Sequence, residues 1–223
     1  MFCDVLEKPA ELGRVLFGRV RYIEKIENWS TVSISDPPGL ERDERDLSDR
    51  ILKVALLFSG CHEMRHHEKS LFDHLAGTHA VLNRWGCSSV LCQTGLLHSV
   101  FGTATFNPTE RTTTALSKLQ QLAGTHVARL VYLYAFSDRG YHLFEALDSG
   151  SLIVSGGGRY NQALEEVSRH EVLSVLVVDC ANLLEQGADR GFLKEVVERH
   201  RNKRLELPQE IYEDLSDYCL PSR

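Results

Sequence analysis

Apolar residues return every three or four positions through most of the chain, the spacing of helices that bury one face. Leu71, Leu75, Thr78, Leu82 and Trp85 form the clearest stripe. Both of its ends are marked. Ser70 with Asp73 three residues on reads as a capping box, and Gly86 supplies the left-handed residue that closes a helix. A second helix is predicted from about Ser89, with Leu91, Thr94, Leu97, His98 and Phe101 along one side and Gly102 at its end. Asn107 and Pro108 hold capping and first-turn positions for a third, with Ala115, Leu116, Leu119 and Leu122 as its apolar set and Gly124 as its close. A further apolar helix is predicted from Thr125 to Ser137. A long one follows from Gln162 to Gln186, with Leu164, Val167, Leu173, Leu176, Val177, Cys180, Ala181 and Leu184 on its buried side. Ser151 to Val154 reads as a short extended run leading into a flexible turn at Gly156, Gly157, Gly158 and Arg159. One strand does not change the class, which is all-α.

The pattern also divides the chain. Leu12, Val15, Leu16, Val20, Ile23 and Ile26 recur at helical spacing, broken by Gly13 and Gly18, and read as an N-terminal arm or lid. Asp36, Pro37, Pro38 and Gly39, then the charged run from Glu41 to Asp46, favour solvent over regular structure and read as a linker. Regular apolar spacing resumes with Ile51 to Phe58. The expected organisation is therefore an arm and linker at 1–45, a helical domain at 46–205 and a C-terminal tail at 206–223.

Composition narrows the function classes. The 223 residues carry 25 Lys and Arg against 31 Asp and Glu, a net charge of −6 that argues against a nucleic-acid partner. With 43% hydrophobic and 25% charged residues, the chain reads as a soluble globular protein. Its longest apolar runs, Val54 to Phe58 and Leu130 to Phe136, fall far short of the roughly 20 residues needed to cross a bilayer, so no membrane association is expected. The N-terminus has no cationic and apolar signal pattern, and the six cysteines form no CxxC pair; both point to the cytoplasm. The basic run Arg199, Arg201, Lys203 and Arg204 lies among Glu195, Glu198 and Glu206, as on a solvated helix end.

The chemistry-bearing feature is histidine. His62, His66, His67, His74 and His79 crowd one short segment, and His98 follows on the next helix. His74 and His98 differ from the rest because each lies on the apolar stripe of its own helix, so both rings point inward. Two antiparallel helices joined by the turn at Gly86 to Ser88 bring such rings together. That invites either a metal between them or two separately hydrogen-bonded core histidines. Arg111, Asp138 and Arg139 lie near helix ends. Arg139 suits a carboxylate or phosphate, or else an ordinary surface ion pair.

The stretch His74-Leu-Ala-Gly-Thr-His-Ala-Val-Leu, followed by Gly95-Leu-Leu-His98-Ser99-Val-Phe-Gly-Thr, resembles the HD metal-hydrolase superfamily and, within it, the (p)ppGpp hydrolase domain of Rel/SpoT proteins. The interval from His74 to His98 equals that family's interval from its first His to the His of its His-Asp doublet. The chain also resembles an uncharacterised HD-like family with Ser in place of that Asp. Val178-Asp179-Cys-Ala-Asn182-Leu-Leu resembles the late helix that supplies the last carboxylate ligand. The resemblance covers roughly Ile51 to Asp189. It implies an HD-like helical bundle, a divalent metal held by His74, His98, Asp179 and Asn182, catalysis by His98 and His74, and substrate contacts from Ser99, Thr103 and Arg139. The departures are specific. Ser99 stands where the family has its Asp, and Gly102 and Thr103 stand where it has the Glu-Asp pair used for proton transfer. Hydrolysis of (p)ppGpp is therefore not expected. Two readings follow: a small-molecule enzyme on a degenerate HD fold, with a divalent metal or none, and a non-catalytic descendant that binds a metabolite or a protein partner. The arm would close a pocket or pack on a second subunit in a homo-oligomer.

Overall fold

The computed structural model describes residues 42–58, 61–66, 68–101, 113–155 and 162–220. The arm stripe from Leu12 to Ile26, His67, Gly102, Thr103, the Asn107-Pro108 helix start, Arg111 and the turn from Gly156 to Arg159 lie outside them. Among the described residues the fold is all-α, with two small antiparallel ladders.

Helix α1 runs over Arg42–Phe58 and so begins inside the charged run expected to be linker. Its buried apolar residues, Leu52, Ala55 and Leu56, come a turn or more after that run, with buried Asp49 between. Strands β1 (Arg65–His66) and β2 (Lys69–Ser70) form a minimal ladder that leads straight into α2, Leu71–Arg84. The ends of α2 fall where the sequence predicts, although Ser70 and Asp73 make only one half of a capping box. Ser70 Oγ accepts the amide of Asp73 at 3.0 Å, and Gly86 adopts φ 67° after the helix. Helix α3 covers Ser89–Leu97, ending before the predicted Phe101. At that end His98 Nδ1 donates to Gly95 O at 2.7 Å, satisfying one of the terminal carbonyls.

Helices α4 (Thr113–Ala123) and α5 (Thr125–Phe136) follow, with the α5 segment Val127–Phe136 buried throughout. A short helix α6 (His142–Ser149), which the sequence pattern misses, buries only Leu143, Phe144 and Ala146. Strands β3 (Ser151–Ser155) and β4 (Gln162–Glu166) then pair as a hairpin, with Ile153 opposite Leu164. The predicted helix from Gln162 is corrected here. Leu164 is 74% exposed and belongs to no buried stripe, and the helix begins where Ser168 and Glu171 complete a reciprocal capping box.

That helix, α7 (Arg169–Gln186), is the centre of the molecule. Every residue from Glu171 to Asn182 is buried, so it is surrounded rather than amphipathic, and α2, α3, α5 and α6 all pack on it. Arg129 on α5 locks its start: Nε donates to Glu171 at 2.9 Å, Nη1 pairs with Glu165 and Nη2 donates to Glu166 O at 3.1 Å. The expected tail is also corrected. Residues 206–220 contain helix α9 (Gln209–Cys219), which packs on α8 (Arg190–Arg201), and Leu205, Leu207, Ile211 and Leu215 are buried. Trp85 Nε1 donates to Asp214 at 2.6 Å, fastening α9 to the end of α2. The helical domain thus runs on past residue 205.

Candidate functional site

Helices α2 and α3 approach closely because Gly95 presents no Cβ. An added Cβ would lie 2.3 Å from Leu82 Cδ1. The approach brings the His74 and His98 rings together nearly at right angles, with Nε2 to Nε2 at 3.1 Å, each side chain about 1% exposed. Two imidazole nitrogens at that distance share one proton.

The outer nitrogens decide which ring holds it. His98 Nδ1 faces Gly95 O, which only accepts, so Nδ1 carries a hydrogen. Burial, reinforced by His74, Arg139 and His66, holds His98 well below the ordinary histidine value, although the Gly95 bond pulls the other way. A neutral His98 with its hydrogen on Nδ1 leaves Nε2 as a lone pair, and the shared proton sits on His74. His74 Nδ1 meets Glu185 Oε2 at 2.6 Å. Burial pushes the Glu185 carboxyl up, but the hydrogen bonds and charges of His74 and Lys69 outweigh it, and Glu185 ends below its ordinary value. A carboxylate there accepts, so His74 donates from both nitrogens.

Lys69 Nζ pairs with the other oxygen of Glu185 and is itself partly exposed, so the chain of contacts reaches the surface. Gly77 makes room for this carboxylate: a Cβ there would lie 2.6 Å from Glu185 Oε1. The His66 ring lies 4.4 Å from that of His74, and its Nε2 is 3.4 Å from Gln186 Nε2.

A second branch begins on the opposite side of His98. Its ring meets the Tyr134 ring edge to face at 4.8 Å. Tyr134 Oη donates to Asp179 Oδ1 at 3.1 Å, and Arg139 Nε donates to the same oxygen at 3.0 Å. Arg139 also bonds Tyr134 O and stacks 3.9 Å over the Tyr134 ring. Burial raises the Tyr134 phenol well above its usual value, so it stays a donor. Burial works against the Arg139 charge, but Tyr134 and Asp179 more than compensate.

The structure therefore gathers His74 with His98, and Arg139 with Asp179. It does not join the two sets into the ligand shell that the HD resemblance implies. Asp179 is turned to Tyr134 and Arg139, and Asn182 Oδ1 accepts from Gln186 at 3.2 Å. Among the described residues no three His, Cys, Asp or Glu side chains are placed to hold one ion. Ser99 is buried beside His98, and Thr103 lies outside the described residues. Of the other clustered histidines, His66 stays against His74, while His79 Nε2 pairs with Asp49 at 2.7 Å and His62 Nδ1 donates to Leu57 O.

Sequence reasoning missed Glu185, Lys69, Gly77 and Tyr134. A signal existed for two of them. Gly77 lies three residues after His74, on the same helix face, and Glu185 lies one turn after Asn182.

Residues 55–139 match the family described as Domain of unknown function (DUF6817). No curated protein and no solved structure matches the chain. The matched span carries His74, His98, Tyr134 and Arg139, whereas the carboxylates Asp179 and Glu185 lie beyond it.

Proposed function

We propose that the chain is a small-molecule enzyme on a degenerate HD-type fold, with His98 as the general base and His74 as the acid. The observation that supports this is the 3.1 Å contact between His74 Nε2 and His98 Nε2. One ring is pinned by a carbonyl and the other by a carboxylate. Such a pair sets a ring that accepts at Nε2 beside a ring that donates there, the arrangement needed for moving a proton onto or off a substrate. No step is assigned to a metal. Ser99 supplies a neutral hydroxyl where the resembling family has a carboxylate, so turnover of (p)ppGpp is not expected.

The test is a screen of phosphate esters and nucleotides with tag-free protein, run beside His98→Gln, and with the metal content of both measured. The enzyme reading expects a turnover that falls about 10²- to 10⁴-fold in the variant while the protein stays folded. A loss of thermal stability with every turnover unchanged would overturn it. That result would favour a second reading, a non-catalytic binding domain, which is supported by the internal satisfaction of Asp179 and Glu185.

A further inference from the structure

Resting on the reading of His74 and His98 as the working pair, we infer that Glu185 is its positioning residue. Reaching across the gap left by Gly77, it holds His74 with its Nε2 hydrogen aimed at His98. The geometry has three parts. The Oε2 atom lies 2.6 Å from His74 Nδ1, which fixes the ring about its long axis and places a hydrogen on that nitrogen. Glycine at 77 is the residue that lets the carboxylate lie against α2, since any Cβ would enter its space. The Glu185 side chain is 7% exposed and that of His74 is 1% exposed, so little water competes for either group.

The arrangement assigns a direction to the site. With Nδ1 of His74 bonded to a carboxylate and Nδ1 of His98 bonded to a carbonyl, only the inner nitrogens are available for exchange, and only His98 has a lone pair there. Glu185 acts through His74 and does not itself touch His98, so its loss would alter the acid without removing the base.

The experiment is nitrogen and proton NMR of the histidine side chains in the full chain at neutral pH, compared among the unaltered protein, Glu185→Gln and Gly77→Ala. The unaltered protein is expected to show two protonated nitrogens on His74, one on His98, and a strongly low-field Nδ1 proton for His74. Both variants are expected to lose that low-field proton. Gly77→Ala should do so with the carboxylate and its charge retained, and alanine is the better helix former of the two. It therefore remains informative should Glu185→Gln fail to fold. If a turnover is found, each variant should lower kcat by about tenfold or more with KM little changed. An unaltered His74 spectrum in both variants would overturn the inference. Because the spectrum does not depend on turnover, its failure is distinct from failure of the enzyme reading. The expected spectra with turnover unchanged in His98→Gln would leave the positioning intact and remove the catalysis.

Discussion

Burial keeps His98 neutral where an exposed histidine would take up a proton, so acid acts first on the unfolded chain. The folded value lies below the unfolded one, near 6.5, and stability is lost as pH falls below about 6.5. Glu185, also depressed in the folded state, adds a loss of the same sign at lower pH, as its carboxylate is protonated. Thermal unfolding measured from pH 7.5 downward should therefore show a falling midpoint, with a shallower fall in His98→Gln, which has no imidazole to charge. An equal slope in both proteins would contradict the assignment of His98 as neutral. The two histidines were legible because each lies on an apolar stripe, where an imidazole needs a buried partner. Glu185 was not, because a carboxylate near a helix end ordinarily reads as solvated. Only the missing side chain of Gly77, on another helix, gives it a buried place.

Helix ends marked by short-range chemistry were legible, and elements stabilised from a distance were not. Ser70 and Gly86 announce α2, and Gly124 announces the end of α4, because caps act within a few residues. The hairpin of β3 and β4 depends instead on pairing across a turn and on Arg129, more than thirty residues earlier, so helical periodicity ran through β4 unopposed. Two expectations belong to this scale. Replacing Ser168 by Ala should cost about 0.5–2 kcal/mol in denaturant unfolding, since it removes one half of the capping box of α7. Replacing Gly95 by Ala should cost about 1–3 kcal/mol, because the new methyl meets Leu82 where α2 and α3 are closest. An unchanged unfolding midpoint for Gly95→Ala would mean that Leu82 has room to turn aside.

In the whole molecule, the last helices close the fold rather than trail from it. Ile211 and Leu215 are fully buried, and each such side chain is worth about 1.5–3 kcal/mol, against a total stability of about 5–15 kcal/mol for a typical domain. A chain ending at residue 205 should accordingly unfold at a clearly lower temperature and be cut faster by protease than the full chain. Among the described residues no helix is long and apolar enough to cross a membrane. The position of α7 has a further consequence for synthesis. The ribosome delivers His74, Arg129 and Arg139 well before the carboxylates of Glu171, Asp179 and Glu185 that meet them inside the finished protein. Until α7 emerges, His74 and Arg139 lack the carboxylates that pair with them, Arg129 has only Glu165, and the four-helix surround has nothing to close upon. Nascent chains arrested before residue 169 should stay open to protease, and those released beyond α7 should become resistant together.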